Sequence, residues 1–115
     1  MADQIAYKVL LADEMARLES DGRFAGAPID LADGYIHMST AAQLDETVVK
    51  HFAGKSDLFL AAVDLEALGD ALRWEPSRGG DLFPHLYGSL TLDTVLAYGP
   101  LDREDDGSIR LPVTG

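Results

Sequence analysis

Cysteine is absent from these 115 residues. That excludes disulfide staples, thiolate zinc sites and cysteine nucleophiles together, and fits a reducing compartment. Basic residues are scarce: nine Lys and Arg against twenty Asp and Glu give a net charge of −11. Binding nucleic acid draws on Lys and Arg to replace counterions, so no nucleic-acid partner is expected, and the acidity serves solubility. Long apolar runs are missing too. The longest, 58–63, falls far short of the roughly 20 residues that span a bilayer. The opening MADQIAYKVLLADE lacks the basic start, long apolar run and small-residue cleavage site of a secretory signal. The expectation is a cytoplasmic protein with no membrane partner, and a monomer is favoured.

What is present suits one globular domain. The chain is 47% apolar and 25% charged, ordinary proportions at a length too short for two domains. A domain of this size buries roughly two-thirds of its unfolded surface, enough for a core without a disulfide or metal.

Residues 6–11 (AYKVLL) read as a first strand. Asp13 is a plausible cap for a helix with Met15 and Leu18 on one face, stopped at Gly22. Residues 23–32 read as a loop with an Ala-Pro turn. In 35–39 (YIHMS) the alternation puts Tyr35, His37 and Ser39 on one strand face. Thr40 and Gln43 then have capping-box spacing. Ala41, Leu44, Val48 and Phe52 form the apolar stripe of a second helix that ends at Gly54. Residues 58–63 (LFLAAV) suit a central strand buried on both faces, and 64–68 a single helical turn. Residues 71–75 (ALRWE) alternate, setting Arg73 and Glu75 opposite Leu72 and Trp74. A loop over 76–80, an extended piece over 83–88, a helical turn over 91–93 and a last strand over 95–98 follow. Residues 1–101 form the domain, and 102–115 an acidic tail expected to be mobile as far as Leu111. Five or six short strands and two main helices predict an α+β fold with one curved, mostly antiparallel or mixed sheet.

Two segments carry the candidate chemistry, 34–40 and 73–88. His37 and Ser39 share a face just before a helix start, a setting suited to an anionic or ribose-bearing ligand. The plainer alternative is that Ser39 and Thr40 cap the helix and His37 is a core residue. The second segment gathers Arg73, Glu75, Arg78, His85 and Tyr87, with Trp74 and three glycines. Arg78 precedes Gly79-Gly80, where backbone can approach a ligand closely. Glu75 or His85 could act as acid or base. His51, near the end of the second helix, suits the helix dipole as a surface residue. No GxGxxG, GxxxxGK[ST] or GxSxG motif occurs, so Rossmann-type dinucleotide binding, a P-loop and a serine-hydrolase elbow are not supported.

The ordered series YKVL, GRFAGAPIDLADGYIHMSTAAQ and LRWEPSRGGDLFPHLYG resembles the bacterial domain-of-unknown-function 952 family. The resemblance runs from about Tyr7 to Leu101. It implies a fold similar to the ADP-ribosyltransferase superfamily, including its RNA 2′-phosphotransferase branch, in which a curved split sheet cradles NAD. In that superfamily an early His beside a Ser or Thr grips the nicotinamide ribose, and His37 and Ser39 match it. A middle aromatic or second His stacks on nicotinamide, a place Tyr87 or His85 could fill. The third motif, a catalytic Glu on a late strand, has no counterpart in 95–98; Glu75 comes earlier.

These readings converge on a small-ligand-binding domain or enzyme with an ADP-ribosyltransferase-like groove. If it is an enzyme, it is a transferase acting on NAD or a related nucleotide. In this reading His37, Ser39 and Thr40 bind ribose or phosphate, Arg73 and Arg78 meet an anionic group, and Tyr87 lines the site. Two alternatives stand beside it: a protein-interaction or regulatory module using the same concave face, and a metal-dependent enzyme using His37 and His85.

Overall fold

The computed structural model describes residues 4–77 and 80–113. Among the described residues, eight strands and four α-helices alternate irregularly. The strands are β1 (Ile5–Leu10), β2 (Arg23–Phe24), β3 (Ile36–His37), β4 (Phe59–Asp64), β5 (Leu72–Pro76), β6 (Leu82–Leu86), β7 (Leu90–Thr91) and β8 (Val95–Pro100). The helices are α1 (Ala12–Asp21), α2 (Pro28–Asp33), α3 (Leu44–His51) and α4 (Leu65–Leu68). Every strand pairing is antiparallel. The fold is therefore α+β with antiparallel sheets, as expected, and the described residues hold more strands than the five or six anticipated.

The single sheet of the sequence reading is divided. One sheet has the order β1-β4-β8 and another β3-β6-β5, with a two-stranded β2-β7 ribbon beside them. A bridge ties the two larger sheets backbone to backbone, where the Tyr7 and Ser39 amides each donate to the other's carbonyl at 2.8 and 2.9 Å.

β4 is the middle strand that its apolar run predicted. Its residues alternate between two cores. Ala61 and Val63 join Ala6 and Leu10 of β1, Met15 and Leu18 of α1, and Ile36, Met38 and Leu86. Leu60 and Ala62 join Tyr7 and Val9 of β1 with Leu44 and Val48 of α3. Each buried side chain of Leu or Ile size stabilises the fold by about 1.5–3 kcal/mol relative to exposure, so β1 and β4 are locked from both sides. Leu72 and Trp74 pack against the first core, which turns Arg73 and Glu75 to the opposite face, as their alternation predicted.

Helix ends needed correction. α1 starts at Ala12, and the Glu14 carboxylate, rather than Asp13, accepts the Leu11 amide at 2.9 Å. Its end at Gly22, in the left-handed region with φ 74°, is as expected. The Thr40–Gln43 box forms, with the Thr40 amide on Gln43 Oε1 at 3.0 Å and the Gln43 amide on Thr40 Oγ1 at 3.3 Å. Ala41 is exposed and drops out of the apolar stripe. Within the expected 23–32 loop lie β2 and α2. Pro28 opens α2 and Gly34 closes it at φ 88°, the asymmetry that suits a short helix.

Beyond β8, residues 102–110 fold back on themselves through an Arg103–Ile109 bridge, and Leu101 and Ile109 pack on the second core. Among the described residues no helix is long and apolar enough to cross a membrane.

Candidate functional site

The β3-β6-β5 sheet aligns three ring or cationic side chains across its strands. His37 of β3 is paired with His85 of β6, and His85 with Arg73 of β5. Side chains two residues apart share a face, so Tyr35, His37, His85, Tyr87, Arg73 and Glu75 all rise from the side away from the first core. Beside this face, at the seam with β1, lies a cavity of about 250 Å³. Its walls include Lys8, Asp30, Asp33, Tyr35, Ser39 and all three histidines of the chain.

A buried carboxylate anchors one wall. Asp30, with a side chain only 1% exposed, accepts the Lys8 ammonium at 3.0 Å, the Ala27 amide at 2.8 Å and the His37 amide at 3.1 Å. It also meets the His37 ring at Nδ1, 2.6 Å away. Burial by itself raises the Asp30 pKa, but the His37 ring, the Lys8 charge and the two amides outweigh it and hold the carboxyl far below the ordinary range. Lys8 Nζ further donates to the His37 carbonyl at 3.0 Å. The second ring nitrogen of His37, Nε2, meets Asp33 at 2.9 Å. Both ring nitrogens can donate together only as the imidazolium.

The opposite wall is a second imidazole–carboxylate pair. Glu75 Oε1 receives His85 Nδ1 at 2.8 Å and the Tyr87 hydroxyl at 2.7 Å. These contacts, the His85 one first, hold the Glu75 carboxyl below its ordinary value and push the Tyr87 phenol up. With Nδ1 committed to Glu75, Nε2 is the His85 nitrogen left to meet a ligand.

Tyr35 joins the walls. Its ring stacks on His85 at 4.1 Å and lies 4.7 Å from His37 and 5.3 Å from Tyr87. Burial, followed by the Asp33 and Glu75 charges, raises its phenol pKa.

Of the residues picked from sequence, His37, Ser39 and His85 line the cavity. Glu75 and Tyr87 stand behind His85. Arg73 is exposed on β5, its guanidinium 5.2 Å above the Tyr87 ring. The Ser39 hydroxyl is buried against Thr47 Oγ1 at 2.7 Å. Thr40 is occupied by its capping contacts and is not among the cavity residues. Arg78 lies outside the described residues. Among the described residues no group of three or more His, Asp or Glu side chains is placed to hold a metal ion.

Sequence reasoning missed Lys8, Asp30 and Asp33; it placed Tyr35 on the face of His37 and Ser39 but gave it no role. One signal was legible: Lys8 shares its strand face with Ala6 and Leu10, and a charge on a buried face needs a partner.

Comparison with functionally curated proteins finds no match. The chain is similar to protein CC0527 from Caulobacter crescentus. The crystal structure of that protein is 44% identical over 92% of this chain and 93% of that one, with a TM-score of 0.83. Its solution NMR structure matches at 44% identity over 93% and 91%, with a TM-score of 0.78. A family model described as "Protein of unknown function (DUF952)" matches residues 9–98. With most of its length matched, this chain belongs to that family.

Proposed function

We propose that the chain is a monomeric cytoplasmic domain that binds a small ribose- or phosphate-bearing ligand in the cavity at the sheet seam. One observation carries the reading: two imidazoles, each fixed by carboxylates, converge with ring centroids 5.6 Å apart at one cavity. Fixing a ring through one nitrogen aims the other, as general acid–base sites require. The Glu75 contact leaves His85 Nε2 to accept a proton from a ligand hydroxyl, while His37 Nε2 meets an anionic group. Tyr35 supplies a face for a flat ring.

The cavity size limits the ligand. At about 250 Å³ it lies just under the roughly 300–1,000 Å³ of typical small-molecule sites. It suits a nucleoside-sized fragment, with the rest of a dinucleotide such as NAD lying outside along Tyr87 and Arg73. An ADP-ribosyltransferase-like groove is supported by the split sheet and by His37 and Ser39 at its seam. Glu75 reaches the same face from β5, and the late strand β8 carries no carboxylate. A transferase acting on NAD is the enzymatic form of this proposal.

Titrating the protein with NAD and ADP-ribose while following the His37 and His85 ring signals by NMR tests it. Saturable shifts at both rings, lost in His37→Ala, are expected. Silence at millimolar concentration of both ligands sinks the nucleotide reading.

A protein or peptide partner on the same face is the second reading. It is favoured by α2, where Ile29 lines the cavity yet is 51% exposed and Leu31 is 64% exposed.

A further inference from the structure

Two carboxylates hold the His37 ring at the cavity, Asp30 at Nδ1 and Asp33 at Nε2, but they are not equivalent. Asp30 is sealed in and holds four donors. Displacing it would strand a buried ammonium and unseat the imidazole together. Asp33 has a side chain 45% exposed, and among the described residues its carboxylate makes one ion pair, with His37 Nε2. Exposed ion pairs of this kind are weak because water and salt compete for both partners.

We propose that Asp33 stands in for the ligand: His37 Nε2 is an oxyanion subsite, filled by Asp33 in the free protein and taken over by a phosphate or carboxylate group of a small ligand. This rests on the small-ligand reading above and assigns one contact within it. Lys8 and Asp30 fix the imidazole before any ligand arrives, so the subsite is built in advance. An incoming oxyanion gains a charge-assisted hydrogen bond and keeps the local charge balanced as Asp33 leaves. Asp33 is the last residue of α2, followed by Gly34 at φ 88°. Its side chain can swing to solvent without disturbing a strand ladder. The Tyr35 ring, 4.7 Å from His37, gives the body of the ligand a surface beside its anionic end.

The test titrates inorganic phosphate and, separately, acetate into the wild-type protein and Asp33→Asn, following the His37 ring nitrogens by NMR. Asp33→Asn removes the competing charge at an exposed position and keeps the fold, which circular dichroism verifies. It should bind one of the two anions about tenfold more tightly than wild type, and adding His37→Gln should cancel the gain. A gain with phosphate alone assigns a phosphate-bearing ligand, and a gain with acetate alone a carboxylate. Equal affinity in the two proteins overturns the stand-in role. If ADP-ribose then shifts His85 in both proteins alike, the small-ligand reading survives without it. If no anion or nucleotide binds either protein, both fall.

Discussion

His37 and His85 are direct cross-strand partners of β3 and β6, their rings meeting edge to face at 5.6 Å and 69°. Each is held from behind by a different carboxylate, His37 by Asp30 and His85 by Glu75. The pair is thus set by strand register as much as by side-chain chemistry. Slipping β3 by one residue would turn His37 into the core and replace it with Ile36 or Met38.

Lys8 supports this arrangement from β1. The Lys8–Asp30 pair is buried on both sides, at 7% and 1% side-chain exposure, and breaking such a pair from one side strands a charge. Lys8→Met should lower unfolding stability by roughly 3–5 kcal/mol, measured by urea denaturation at neutral pH. A loss under about 1 kcal/mol would mean that Asp30 finds water or another donor in its place.

Asp30 also sets the response to acid. Its folded-state pKa is lowered below an unfolded value of about 3.9, so the unfolded chain takes up the proton more readily. The stability Asp30 supplies is complete above that unfolded value and is lost as pH falls toward the folded one. Denaturation midpoints should therefore drop steeply below roughly pH 4. Asp30→Asn should begin less stable and lose less over the same window. Parallel slopes for the two proteins would remove Asp30 from this role.

Glu75 raises the Tyr87 phenol pKa through its hydrogen bond. Glu75→Gln removes the negative charge, so Tyr87 should ionise at lower pH, closer to the ordinary value of about 10. Ultraviolet titration of the tyrosines reads this, and Tyr87→Phe identifies the component that moves. An unchanged titration curve would show that the contact does not persist in solution.

Gly26 sits at φ 131°, and a Cβ there would lie 2.9 Å from the Asp30 Cβ. Gly26→Ala should cost about 1–3 kcal/mol from backbone strain alone and push Asp30 away from His37. Thermal denaturation gives the first effect, and movement of the His37 ring signals the second. Wild-type values for both would mean that the 25–27 turn adapts freely.

The regular parts of the fold were legible because their patterns were strong. Residues 58–63 are apolar throughout and became the doubly buried β4. Met15 and Leu18 marked α1, and the alternation of 35–39 and 71–75 put His37, Arg73 and Glu75 on their observed face. α2 escaped because it buries little: Ile29 and Leu31 are more than half exposed, so no apolar stripe advertises a helix, and only Pro28 and Gly34 mark its ends. With α2 went Asp30 and Asp33, and hence half of the site. Lys8 was hidden in another way. Its partner lies 22 residues along the chain, and a single sequence carries no trace of which carboxylate will meet it.

The Tyr7–Ser39 bridge joins the two three-stranded sheets through one pair of backbone hydrogen bonds, and the cavity lies against both residues. Any occupant of the cavity touches both sheets at this bridge. Occupancy should therefore register as mechanical stiffening, with slower amide exchange at Tyr7 and Ser39, even when the occupant undergoes no chemistry.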